Sequence, residues 1–187
     1  MRKAAMWLLL GFLLLPVGCV PSLHPLYTDQ DVIFDQSVLG MWAEDGSKET
    51  WTLTRGGEKE YRLVHTDEDG KKGEFVAHLL KVEGRMFLDL YPVEPELPQN
   101  DLYRDHLLRV HSFVSVLQTE PAIRISYLDP EWLKKFLDNQ PSALRCERIN
   151  DEVVITASPK ELQNFLLTHL KTEGAFGEPS ELKRKKS

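Results

Sequence analysis

Residues Glu49–Tyr91 read ETWTLTRGGEKEYRLVHTDEDGKKGEFVAHLLKVEGRMFLDLY, and their periodicity decides the fold class. In ETWTLTR, Trp51 and Leu53 fall on one face and Thr50, Thr52 and Thr54 on the other. That is the period of two of a half-buried strand. Gly56-Gly57 breaks the run, and EYRLVHT then places Tyr61, Leu63 and His65 on one face. DEDG at Asp67–Gly70 reads as a hairpin turn, since Asp and Gly tolerate left-handed backbone. GEFVAHLLKV and RMFLDLY are two more strands, joined by a tight turn at Glu83-Gly84.

The pattern continues outward. HLLRVHSFVSVLQ aligns Leu108, Val110, Val114 and Val116, and AIRISYL alternates Ile123, Ile125 and Tyr127 against Arg124 and Ser126. Between RMFLDLY and HLLRVHSF lies PVEPELPQNDLYRD, Pro92–Asp105. Its prolines exclude a central strand, and connections this long often serve as lids or binding loops. Helical period appears only late. Asp129 caps a helix with Pro130 at its first position and an apolar stripe of Trp132, Leu133, Phe136 and Leu137. A hairpin turning at Asn150-Asp151 follows, and SPKE then starts a second helix that Gly174 ends. The expected fold is mainly β with C-terminal helices. An antiparallel meander of about seven to nine strands would close into a barrel or a strongly curved sheet, which removes exposed edges. The basic run LKRKKS at Leu182–Ser187 reads as a solvated, disordered tail.

At the other end, Arg2 and Lys3 precede an uncharged run from Ala4 to Leu15, and Pro16-Val17-Gly18 breaks it before Cys19. The run is too short for a transmembrane helix and has the shape of a secretory signal. It resembles a bacterial lipoprotein signal peptide, with Gly18 and Cys19 matching the end of the lipobox and Pro16 standing where leucine is usual. That resemblance implies lipidation of Cys19 and a membrane anchor, because each buried CH₂ contributes about 0.8 kcal/mol and two or three acyl chains hold essentially permanently. Cys146, the other of two cysteines, is then left unpaired.

VLGMW at Val38–Trp42 resembles the G-x-W signature that opens the first strand of lipocalin-like barrels. The resemblance implies that Gly40 lets the chain enter the barrel and that Trp42 plugs its closed end. The other lipocalin signatures, a T-D-Y between strands and an arginine stacked on the tryptophan, are not apparent. SLHPLYT, DVIFDQSVLGMW, HLLRVHSF and ELQNFLLTHL together resemble a family of small bacterial lipoproteins. This implies an envelope location and carries no activity with it. The chain thus divides into a signal peptide at 1–18, an anchor and N-terminal crossing segment at 19–37, a lipocalin-like β domain at 38–174 and a basic tail at 175–187.

Two functional readings follow. In one, the barrel binds a small apolar ligand beneath the Pro92–Asp105 connection, with Leu97, Leu102 and Tyr103 facing it and Phe87 and Tyr91 below. In the other, Trp51, Tyr61, Phe75, Phe87 and Phe113 fill the interior, and the protein is a scaffold contacting an envelope protein without any ligand. The formal charge of −6 becomes −8 once Arg2 and Lys3 are set aside, which argues against nucleic acid as a partner. His65, His78 and His111 sit on separate strands, and His106 and His111 would face opposite sides of one strand, so neither set suggests a metal site. Asp67, Asp69 and Gly70 lack calcium-loop spacing. No G-x-S-x-G, H-E-x-x-H, Walker loop or S-x-x-K occurs. No enzyme activity and no cofactor are expected.

Overall fold

The computed structural model describes residues 19–94 and 100–185. Residues 1–18, where a signal peptide is expected, and Leu97 lie outside the described residues. The meander expected from Glu49–Tyr91 forms as read. Strands β2 (Gly40–Ala43), β3 (Thr50–Arg55), β4 (Tyr61–Thr66), β5 (Lys72–Val82) and β6 (Arg85–Pro92) pair antiparallel in order. The turn between β5 and β6 has positive φ at both Glu83 (49°) and Gly84 (76°). Two left-handed residues in succession match the twist of the flanking strands, as a two-residue hairpin loop needs.

β7 (Ser112–Gln118) and β8 (Ile123–Ser126) continue the meander, and β11 (Ser180–Arg184) inserts between β8 and β2. Because β5 pairs with both β4 and β6, the strands β2 to β8 and β11 close an eight-stranded antiparallel barrel. A short β1 (Val32–Ile33) pairs with β5 at Leu79 and Leu80, beyond the stretch that β4 occupies. As far as Arg184, the basic C-terminal run is therefore no free tail in this structure. Leu182 is buried in the barrel, with Glu181 and Lys183 on the opposite, solvated face. A charge run that alternates around one apolar residue is a half-buried strand once two neighbours are there to pair with it. Leu108 and Val110 also depart from expectation. β7 begins only at Ser112, and Leu108 is exposed.

Two apolar cores share the barrel wall. The inner one joins Trp42, Leu53, Tyr61, Leu63, Leu79, Leu88, Val114 and Ile125 inside the barrel. The outer one lies between Leu80, Phe87 and Phe113 on the wall and a covering layer. That layer is α2 (Pro130–Asn139), the β9–β10 hairpin (Cys146–Ile149 and Glu152–Ile155), α3 (Pro159–His169) and the N-terminal strap from Val20 to Phe34, whose Val20, Leu26 and Tyr27 pack here while Ile33 and Phe34 turn to the inner core. Both later helices carry the caps read from sequence. Asp129 accepts the Trp132 N–H at 2.6 Å, and the Glu161 carboxylate accepts the Ser158 N–H at 2.9 Å. Hydrogen bonds from Arg145 and then Ser158 hold the Glu161 carboxyl down at about 2. The hairpin turns at Asn150 (φ 49°) and Asp151 (φ 69°). A further single-turn helix, α1 (Asp101–Arg104), occupies part of the long β6–β7 connection.

Of the five large side chains expected inside the barrel, Trp51, Tyr61 and Phe75 belong to the inner core. Phe87 and Phe113 face outward into the other one. The reason is local: Phe87 to Leu90 and Phe113 to Val116 are buried on both faces. An apolar run covered on both sides carries no alternation from which to read its direction.

Candidate functional site

The barrel has one closed end, built around Trp42. The indole is fully buried, and its Nε1–H donates to Val38 O at 2.9 Å. Val38 belongs to a single 3-10 turn, Gln36–Val38, capped by Asp35, whose side chain accepts from Ser37 N–H. Arg184, from β11, lies over the Trp42 ring with its guanidinium carbon 4.2 Å from the centroid. Its two terminal nitrogens donate to Leu39 O at 2.6 Å and Ser37 O at 2.7 Å. A planar cation on an indole face with both forks of the fork bonded is a firm closure. Gly40 makes room for it. Its φ of 132° is strained for other residues, and a Cβ there would lie 2.3 Å from Arg184 Nη1. Tyr61 completes this end, donating to Asp35 O at 3.0 Å and stacking on Phe34 at 4.8 Å.

Toward the other end, beside the β2–β3 connection, lies a small space of about 50 Å³ lined by Glu44, Glu49, Trp51, Ile125, Tyr127 and Leu182 among others. Ligand pockets ordinarily measure about 300–1,000 Å³. Burial drives the Tyr127 phenol well above its usual range, so it stays protonated there.

Of the five residues expected to face an apolar ligand, the four that are described do not converge. Phe87 is fully buried in the outer core. Tyr91 sits on the barrel's outer wall, its ring tilted against His111 with centroids 4.5 Å apart and Arg109 5.1 Å over its ring. Leu102 and Tyr103 are exposed on α1, and Leu97 is outside the described residues. Odd-numbered positions of β6 point outward, so Phe87 and Tyr91 cannot line the interior together with Leu88 and Leu90.

Sequence reading missed two residues that organise the molecule. One is Arg184, hidden in a basic cluster. The other is Asp89, fully buried on the outer wall. Its carboxylate accepts the Leu26 N–H at 2.8 Å and faces His111 Nδ1 at 2.8 Å. His78 is its direct cross-strand partner on β5. The carboxylate thus fastens the N-terminal strap to the barrel, where Gln163 of α3 also holds Leu26 O at 2.8 Å. The signal for it was an acidic residue inside the apolar run MFLDL. A charge in such a place is retained only if paired. Among the described residues, no group of three or more His, Cys, Asp and Glu is placed to hold a metal ion.

Cys19 is exposed at the head of the strap, and Cys146 is a free, partly buried thiol on β9. The strap lies between His111 and β10: Ser22 exchanges backbone hydrogen bonds with His111 at 2.9 and 2.8 Å, and Leu23 N–H reaches Ile155 O at 2.9 Å. No helix among the described residues is long and apolar enough to cross a membrane. No family model, curated protein or solved structure matches the chain.

Proposed function

We propose that this protein is a lipid-anchored component of the bacterial cell envelope, whose barrel is a rigid interaction module without a ligand of its own. The observation that carries the choice of module over carrier is the packing of the interior. Trp42, Tyr61, Leu63 and Leu79 are each no more than 1% exposed, and their neighbours close on one another across the lumen. Eight strands leave an interior that side chains can fill completely, and here large ones do. The stack of Arg184 on Trp42 beside Gly40 supports a lipocalin-like form of the barrel. The anchor reading rests on the leader and on Cys19, whose exposed position at the head of the strap suits modification.

The carrier alternative has the exposed α1 lobe in its favour, with Leu102 at 70% and Leu108 at 73% exposure. These side chains point to contacts outside the barrel as readily as to a lid. Titration of the purified domain with an apolar fluorescent probe separates the readings: the module should give no saturable signal, and saturable binding displaced by fatty acid would restore the carrier. For the anchor, Cys19→Ser should abolish incorporation of labelled palmitate, because serine cannot form the thioether. A wild type that takes up no label would remove the lipoprotein reading.

A further inference from the structure

We propose that the surface around Cys19, formed by the β9–β10 turn and the first turn of α2, is the face that the domain lays against a lipid bilayer. This rests on the anchor reading above and adds its geometry. The chain leaves Cys19 with no slack. Val20 is already buried, Pro21 O accepts the Ile155 N–H at 2.9 Å, and the next two residues are bonded on both sides. A flexible linker would let the domain roam by about 5–6 Å times the square root of its length in residues. Here that length is effectively zero, so an acyl group on the Cys19 Sγ brings the lipid headgroups to whatever surrounds Cys19.

A concavity of about 250 Å³ beside Cys19 shows what that is, with Pro130, Glu131, Lys134, Asp151 and Val153 among its walls. At the tip of the same hairpin Ile149 is 56% exposed. An apolar residue held at such a tip suits the headgroup–acyl boundary. The charges around it choose the lipid. Glu131, Glu147, Asp151 and Glu152 outnumber Lys134 and Arg148, and the two cations are engaged with Asp151 and Asp138. An acidic rim of this kind repels anionic headgroups and suits the ammonium of phosphatidylethanolamine. The opposite side of the molecule is equally defined. α2 follows directly on β8, and β4 stands four places from β8 around the eight-stranded order. The β3–β4 turn, with exposed Lys59, therefore faces away from the membrane.

The test uses the full acylated chain in phosphatidylethanolamine–phosphatidylcholine vesicles. With Cys146→Ser removing the other thiol, Ile149→Cys and, separately, Lys59→Cys carry a fluorophore, and lipid-borne nitroxides quench it. Mass spectrometry of the N-terminal peptide reads the acyl chains independently. Quenching should be several-fold stronger at position 149 than at 59. Equal quenching at both, in protein whose N-terminal peptide carries its acyl chains, overturns the orientation while leaving the anchor intact. A peptide without acyl chains overturns the anchor and the orientation with it.

Discussion

The two cores of this protein are held by different means. Inside the barrel, apolar side chains from every strand meet one another, and polar closure is confined to one end, where Arg184, Tyr61 and Asp35 bond the 3-10 turn. Outside it, the apolar contacts of α2, α3 and the hairpin are joined by buried polar groups: Asp89, Ser22 and Gln163 are each no more than 1% exposed. A barrel positions its interior by strand pairing, so packing alone can fill it. A strap of irregular chain has no ladder along most of its length. Its backbone groups need specific partners, and Asp89 and Gln163 supply them at Leu26. The lesson is that side-chain polarity appears where the backbone cannot satisfy itself.

That contrast can be broken experimentally, and the largest effect should come from the seam of the barrel. Deleting residues 180–187 removes β11, frees the edges of β2 and β8 and exposes the Trp42 end. We expect no cooperative thermal transition in near-ultraviolet dichroism. A truncated chain that melts like the whole would mean that the barrel does not depend on its closing strand.

Trp42→Ala should follow, at about 3–5 kcal/mol by denaturant titration, the usual cost of a large-to-small change in a packed core. A loss below about 1 kcal/mol would show that the inner core is not the stable half. In the outer core, Asp89→Ala leaves the Leu26 N–H and the His111 ring without their acceptor, at about 3 kcal/mol. Asp89→Asn, which keeps an acceptor, should recover part of this. Hydrogen exchange would sharpen the comparison further, since the Asp89 variants should speed exchange in the strap residues 20–34 and leave the amides of β3 and β4 protected.

The smallest effect is a pH dependence confined to the outer core. His78 packs on Tyr27 at 4.4 Å, its Nδ1 is buried without a hydrogen-bond partner, and burial pushes its pKa down. The folded protein therefore binds this proton less readily than the unfolded chain. Stability from this residue is intact above the unfolded imidazole value of about 6.5 and declines as pH falls from there through the lower folded value. The groups facing it, Asp89, Glu60 and His111, act on the same proton, the two carboxylates favouring it and the imidazole opposing it. His78→Gln should flatten the decline in stability that sets in as pH falls below about 6.5. A profile unchanged by the substitution would place the acid sensitivity elsewhere. Asp31 acts in a separate, more acidic window: burial raises its pKa, but hydrogen bonds from Thr28, Gln163 and Lys160 outweigh this and hold it at about 2. Its contribution is lost as pH falls from about 4 toward 2.

By itself the sequence determined whatever depends on residues close together along the chain. The alternation in TWTLTR and YRLVHT, the left-handed turns at Glu83-Gly84 and Asn150-Asp151, and the caps at Asp129 and Ser158 could all be read directly. Each is a contest settled within a few residues, so propensity and spacing suffice. Only the tertiary structure decided which face of FLDL and FVSV looks inward, because both faces are covered and the covering helices lie far away in sequence. It alone turned a basic C-terminal run into the closing strand, since SELKR pairs with β2 from more than a hundred residues away. The same distance hid Arg184 from Trp42 and, on a smaller scale, Asp89 from Leu26, 63 residues apart. Such pairings are made by the closure of the barrel and the wrapping of the strap around it, and no local preference of the chain encodes them.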